Sequence, residues 1–160
     1  MNKYLTVATI VGVVFLGYLV LISGQRSENT QQTNTVQSSS EIVVLEQPYD
    51  FGDIDIFGGK VSTNYTLKNT GEEAVTITEA ATSCMCTEGE ITGLTFGLHG
   101  SNVSSVIIPA GGEEVVKATF DPLAHGPEGT GPITRELTLK TNSNETPVVQ
   151  LRFSGNVIKN

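Results

Sequence analysis

From Glu41 onward the chain alternates apolar and polar residues with a period of two. In "KVSTNYTLKNTGEEAVTITEA", Val61, Thr63, Tyr65 and Leu67 fall on one side and Ser62, Asn64, Thr66 and Lys68 on the other. Val75 and Ile77 resume the pattern after the turn-like "NTGEE". Successive side chains of a strand point to opposite faces, so this alternation predicts half-buried strands. "EEVVKATFD" sets Val116, Ala118 and Phe120 on one face, and "PVVQLRFSGNV" does the same for Val149, Leu151 and Phe153. "ITRELTLKTN" adds Leu137 and Leu139 before the pattern breaks at "NSNETP". No segment after Ile22 sustains a helical period. About seven strands separated by Gly, Pro and Asn turns predict an all-β fold, an immunoglobulin-like antiparallel β-sandwich. The chain has no Trp. The Cys…Trp…Cys core of antibody domains is therefore excluded, and apolar packing must hold the sandwich together.

Two stretches do not alternate cleanly. "TEGEITGLTFGLHGSNVSS", between Cys86 and Val106, and "DPLAHGPEGTGP", after Phe120, are rich in glycine and predict irregular loops. Long loops in a compact domain are usually functional or disordered. Each loop carries one of the two histidines, His99 and His125.

The amino-terminal part reads differently. Tyr4 to Ile22 carries no charge over 19 positions. At about 1.5 Å per helical residue that run crosses a hydrocarbon core of about 30 Å. The competing reading is a cleaved secretory signal, whose apolar region is shorter and ends in small residues. "LVLISGQ" offers large ones instead, so residues 1–23 are expected to form an uncleaved transmembrane helix. Lys3 lies on one flank, and Arg26, opposed by Glu28, lies on the other. The amino terminus is then expected inside and the remainder outside, in the periplasm or beyond the cell. Residues 24–40, "GQRSENTQQTNTVQSSS", contain a single sizeable apolar residue, Val36. They read as a flexible linker with a mean reach of about 20–25 Å. The sandwich is expected over residues 41–160.

Charge narrows the partners. From Glu41 onward 16 acidic residues face 7 basic ones. Nucleic acid demands clustered Lys and Arg, so it is excluded as a partner, and so is adhesion to anionic lipid. Asp50, Asp53 and Asp55 in "DFGDID" lack the distal Glu of a calcium loop. No acid/base pair stands out, so the domain is expected not to be an enzyme.

Three segments together carry a resemblance: "YDFGDIDIFGGKVSTNYTLKNTGEEAVTITEAATSCMCT", "IPAGGEEVVKATFDP" and "LKTNSNETPVVQLRFSGNV". Their "DFG" opening, "NTG" turn, "SCGCT"-like motif and closing strand pair resemble the bacterial family known as domain of unknown function 1573. The resemblance covers residues 42–158 and implies a small immunoglobulin-like sandwich, similar to PapD-like and Hydin-like domains, in exported or membrane-tethered proteins. It implies no activity. Met85 stands where the family usually has Gly, and the loops holding His99 and His125 are longer than in a minimal member.

The chemistry centres on the only two cysteines, Cys84 and Cys86, with Met85 between them. In an extended strand, residues two apart share a face with Cα atoms about 6.6 Å apart. A disulfide prefers about 5.5–6 Å, so an internal bond needs a turn to shorten that distance. Two free thiols on one face would instead make soft ligands for copper(I) or zinc, completed by His99 or His125, with Met85 joining if the backbone bends. Packing of small side chains at a sandwich edge is the third reading. Thiol oxidoreduction ranks last, since a strand-borne C-x-C lacks the helix N-terminus that activates such thiols. The expected function is a membrane-tethered, extracytoplasmic binding or structural module, with a protein as the expected partner. The alternative is a copper(I) protein using Cys84, Cys86, Met85, His99 and His125.

The anchor reading has a direct check. The full-length chain should stay with membranes after washing at high salt and high pH, and a mature form beginning near Ser23 would exclude the anchor.

Overall fold

A computed structural model describes residues 36–160. The predicted transmembrane helix and most of the predicted linker lie outside these residues, and no helix among the described residues is long and apolar enough to cross a membrane.

Ten strands form two five-stranded sheets. In chain order they are β1 (Ile42–Val44), β2 (Tyr49–Asp55), β3 (Val61–Asn69), β4 (Val75–Thr82), β5 (Thr87–Ile91), β6 (Leu94–Phe96), β7 (Ser101–Ile108), β8 (Glu113–Phe120), β9 (Gly131–Thr141) and β10 (Val148–Ile158). One sheet runs β1-β3-β8-β5-β6 and the other β2-β10-β9-β4-β7. Among the described strands every pairing is antiparallel except β2 with β10, which is parallel. The all-β sandwich is as expected, but the second sheet is mixed rather than purely antiparallel. The strand number exceeds the expected seven because the stretch after Cys86 is not a loop. It holds β5, β6 and most of β7.

The reason is visible in the side chains. Thr87, Gly89 and Ile91 of β5 are buried while Glu88 and Glu90 are exposed, so the segment alternates after all. Its middle inward position is a glycine because the ring of Phe96, on β6, lies where a Cβ would stand. Thr92 and Gly93 join β5 to β6, both with positive φ (49° and 80°), as a two-residue hairpin turn of primed type requires.

The strand phases read from the sequence are those of the core. Tyr65, Leu67, Val116, Ala118 and Phe120 of one sheet and Leu137, Leu139, Val149, Leu151 and Phe153 of the other are buried together. Phe120 and Phe153 meet across the sandwich with ring centroids 5.9 Å apart. Tyr65, on β3, reaches the opposite sheet, where its hydroxyl donates to the Arg152 carbonyl at 2.8 Å. Burial first, and then the charge of Tyr49, push the Tyr65 phenol up to about 12.

Part of the segment read as a linker is held on the sandwich. Residues 36–40, assigned above to the linker, are packed on the domain: Ser38 bridges Ser143, and Ser38 and Ser40 are buried. Hydrogen bonds do what apolar burial would otherwise do. The Ser40 hydroxyl donates to Glu73 O at 2.8 Å, and the Glu73 carboxylate accepts from Ser39 N at 2.7 Å and from the Ser39 hydroxyl at 3.1 Å. The Ser39 backbone N–H, followed by its hydroxyl, holds the Glu73 carboxyl below the usual carboxylate range. Asn69, fully buried at the end of β3, donates to Glu73 O and Ile108 O and accepts from Gly71 N, which explains the "NTG" turn.

Truncating Phe120 or Leu151 to Ala should cost about 2–5 kcal/mol in denaturant unfolding, and neutrality at both positions would contradict the packing. Tyr65 supplies a pH test. A phenol whose folded pKa is raised contributes stability that is intact below the unfolded value of 10.0 and is lost as pH rises toward about 12. Unfolding free energy should therefore fall across that window, and Tyr65→Phe should flatten the fall while costing about 1 kcal/mol at neutral pH.

Candidate functional site at the sulfur turn

β4 and β5 belong to different sheets, and only Ser83 to Cys86 connect them. This connection is not extended. It closes as a turn in which Thr87 N donates to Cys84 O at 3.1 Å. The two cysteines are therefore not on a strand, as the sequence reading had them. Their Cα atoms are 5.2 Å apart, within disulfide range, and the two sulfurs are bonded to each other.

Further hydrogen bonds brace the turn from within and from its surroundings. Thr82 Oγ1 lies 3.0 Å from Cys84 O and 3.1 Å from Thr87 O, so its one proton serves both carbonyls. Cys86 N donates to Cys84 Sγ at 3.2 Å, Ser83 N to Glu136 O at 2.9 Å, and Asp121 N to Cys86 O at 2.9 Å.

That last bond ties the turn to the loop after β8. Thr87 pairs with Phe120, so the sulfur turn and residues 121–130 leave neighbouring strands at the same end of the sheet. The glycine-rich stretch from Asp121 to Thr130 is a loop, as predicted, and it is built of successive turns. Asp121 Oδ1 accepts from Leu123 N at 3.0 Å, Gly126 N donates to Leu123 O at 2.8 Å, and Gly126 takes φ +85°. These turns bring His125 Nε2 to 3.4 Å from Cys84 Sγ. Ligand atoms of Cys84, Cys86 and His125 all lie within 4.8 Å of one another. Cys84 is half-buried, Cys86 is 2 % exposed and His125 is exposed.

His99 and Met85 do not join this cluster. His99 is exposed in the β6–β7 connection and lines, with Met85, Thr87, Phe96 and Leu98, an open groove of about 440 Å³. Met85 is 76 % exposed, pointed away from the core by the turn.

One residue of the cluster was not singled out in the sequence. Arg135 Nε donates to Cys86 Sγ at 3.1 Å, its Nη1 donates to Thr134 O at 2.8 Å, and its guanidinium carbon stands 5.8 Å from the Phe120 ring centroid. Among the described residues no carboxylate forms an ion pair with it. The signal was available: Arg135 has the same strand phase as Leu137 and Leu139, which is the inward one. An arginine on the core-facing side of a strand needs a polar partner, and here that partner is sulfur.

The molecule is thus an all-β sandwich with a cysteine–histidine cluster at one end. Residues 42–157 match the family model described as "Protein of unknown function (DUF1573)", and the chain belongs to that family. A comparison with curated protein sequences finds no match. Among solved structures, a protein of unknown function from Porphyromonas gingivalis W83 is similar at 12 % identity and a TM-score of 0.59, covering 78 % of this chain and 51 % of its own. The chain therefore spans about half the length of that protein, and the likeness shows the fold. A PapD-like domain of human CEP192 is aligned at 12 % identity and a TM-score of 0.43, covering 79 % of this chain and 92 % of that one. The YadV chaperone is aligned at 11 % identity and a TM-score of 0.39, covering 74 % and 52 %.

Proposed function

We propose that the chain is a non-enzymatic binding module, tethered to a membrane on its extracytoplasmic side, and that its ligand is a soft metal ion, copper(I). The uncharged run from Tyr4 to Ile22 supports the tether. The convergence of Cys84, Cys86 and His125 supports the metal. Ligand atoms about 2.0–2.3 Å from one ion are no more than about 4.6 Å apart, so the observed spread of 4.8 Å needs only a small adjustment. The sulfurs must first be reduced, because bonded sulfurs are not thiolates. Two thiolates and an imidazole are soft and borderline donors, which favour copper(I). Zinc asks for four tetrahedral ligands, and the fourth candidates, His99 and Met85, lie outside the cluster. Two thiolates on a monovalent ion leave a net negative charge, and the Arg135 guanidinium beside Cys86 offsets it.

The reduced, full-length chain in mild detergent should take up one equivalent of copper(I), read by native mass spectrometry and by competition with a chromogenic chelator. A Cys84→Ser, Cys86→Ser double variant should lose uptake, and His125→Ala should weaken it by at least about tenfold, since even residues behind a ligand cost that much. His99→Ala should change little. Copper uptake by the double variant equal to the parent's would end the metal reading.

A further inference from the structure

The two sulfurs of the turn are not equivalent. Cys84 is half-buried, with its Sγ beside an exposed histidine, whereas Cys86 is buried in the core, with Arg135 donating to its Sγ. A thiolate attacks a disulfide at whichever sulfur it can reach, and the other sulfur leaves with the electron pair. We propose that the pair is a thiol–disulfide exchange centre with a fixed direction: an external dithiol attacks Cys84, and Cys86 leaves as the thiolate toward Arg135. This goes beyond the metal reading and stands without it.

The electron count closes. One thiolate of the dithiol forms a bond to Cys84 Sγ as the Cys84–Cys86 bond breaks, and its electron pair goes to Cys86 Sγ. The second thiolate of the dithiol then attacks its own first sulfur, closing the external disulfide and releasing Cys84 as a thiolate. The dithiol is oxidised by two electrons and the protein pair is reduced by two. The two protons of the dithiol end on the cysteines or in water.

Arg135 is what makes the direction specific. It is a half-buried cation that forms no ion pair with a carboxylate among the described residues, and its Nε–H already points at the sulfur that must accept negative charge. Its Phe120 platform holds it in place without neutralising it. Hydrogen-bond donors aimed in advance at the atom where charge develops need no reorganisation during the step. The turn adds a second donor class nearby, since Thr87 Oγ1 lies 3.7 Å from Cys86 Sγ. The fixed turn also keeps Cys86 beside Cys84 after opening, so the mixed disulfide recloses unless a second external thiol intervenes. That makes a dithiol, rather than a single thiol, the effective reductant.

The full-length, oxidised chain is treated briefly with glutathione, acid-quenched and labelled with N-ethylmaleimide, and its peptides are mapped by mass spectrometry. Glutathione should be found on Cys84 and maleimide on Cys86. Glutathione mainly on Cys86 would overturn the proposal. In a second arm, opening by dithiothreitol is timed. Losing a charge-assisted hydrogen bond to the leaving sulfur should slow Arg135→Gln roughly tenfold or more, with Arg135→Lys recovering part of the rate. An unchanged rate in folded Arg135→Gln would also overturn it. If Arg135→Gln does not fold, the labelling pattern of the parent decides alone. Both arms run without metal, so their failure is distinct from a failure of copper(I) binding by the already reduced chain.

Discussion

Four residues must carry the backbone from one sheet to the other between Thr82 and Thr87, and everything about the site follows from that shortness. A longer link would leave the cysteines free to be solvated or to drift apart. The link closes as a tight turn, and this turn places the sulfurs against each other. The strand ends themselves are fixed by pairing: Thr82 lies opposite Leu137, and Thr87 opposite Phe120. The sulfur turn is therefore held in place by the core on both sides, and it is not a flexible excursion from it.

The same pairings deliver the partners. β8 ends beside the turn, so the loop it feeds brings His125 to the outer sulfur. β9 runs beneath it, so Arg135 reaches the inner one from below. The two cysteines thus sit in different surroundings, Cys84 half-buried beside an exposed imidazole and Cys86 buried in the core with a guanidinium at its sulfur. Sulfur chemistry is sensitive to such asymmetry because charge on the thiolate is stabilised or penalised by its immediate neighbours. The two proposals, metal capture and thiol exchange, concern the same pair of sulfurs in its reduced and its oxidised state.

Much of the fold was legible in the sequence because period-two alternation survives wherever the inward positions are aliphatic or aromatic, as in β3, β8 and β10. It failed at β5, where the inward positions are Thr87 and Gly89 as well as Ile91. A glycine filling an inward slot under a phenyl ring carries no hydrophobic signal of its own. It failed again at Ser38 to Ser40, which are held by hydroxyl and carboxylate contacts, an order that apolar patterning does not register. For the site, the cysteines and both histidines were visible as candidates. Which histidine arrives is a matter of sheet order, and that is not written locally. Arg135 was readable from its phase alone, but an arginine flanked by Thr and Glu passes for a surface residue unless its register with Leu137 is counted.

The pairing of Ser38 with Ser143 has a geometric corollary. β9 runs from the neighbourhood of Arg135 to Thr141, and at about 3.3 Å per residue the span from Arg135 to Ser143 is about 25 Å. The first described residues pack at one pole, and the sulfur turn lies at the other. Under the tether and the exchange proposed above, such a domain works as a pointer: the pole at Ser38 is the held end and the sulfur turn is the presented one.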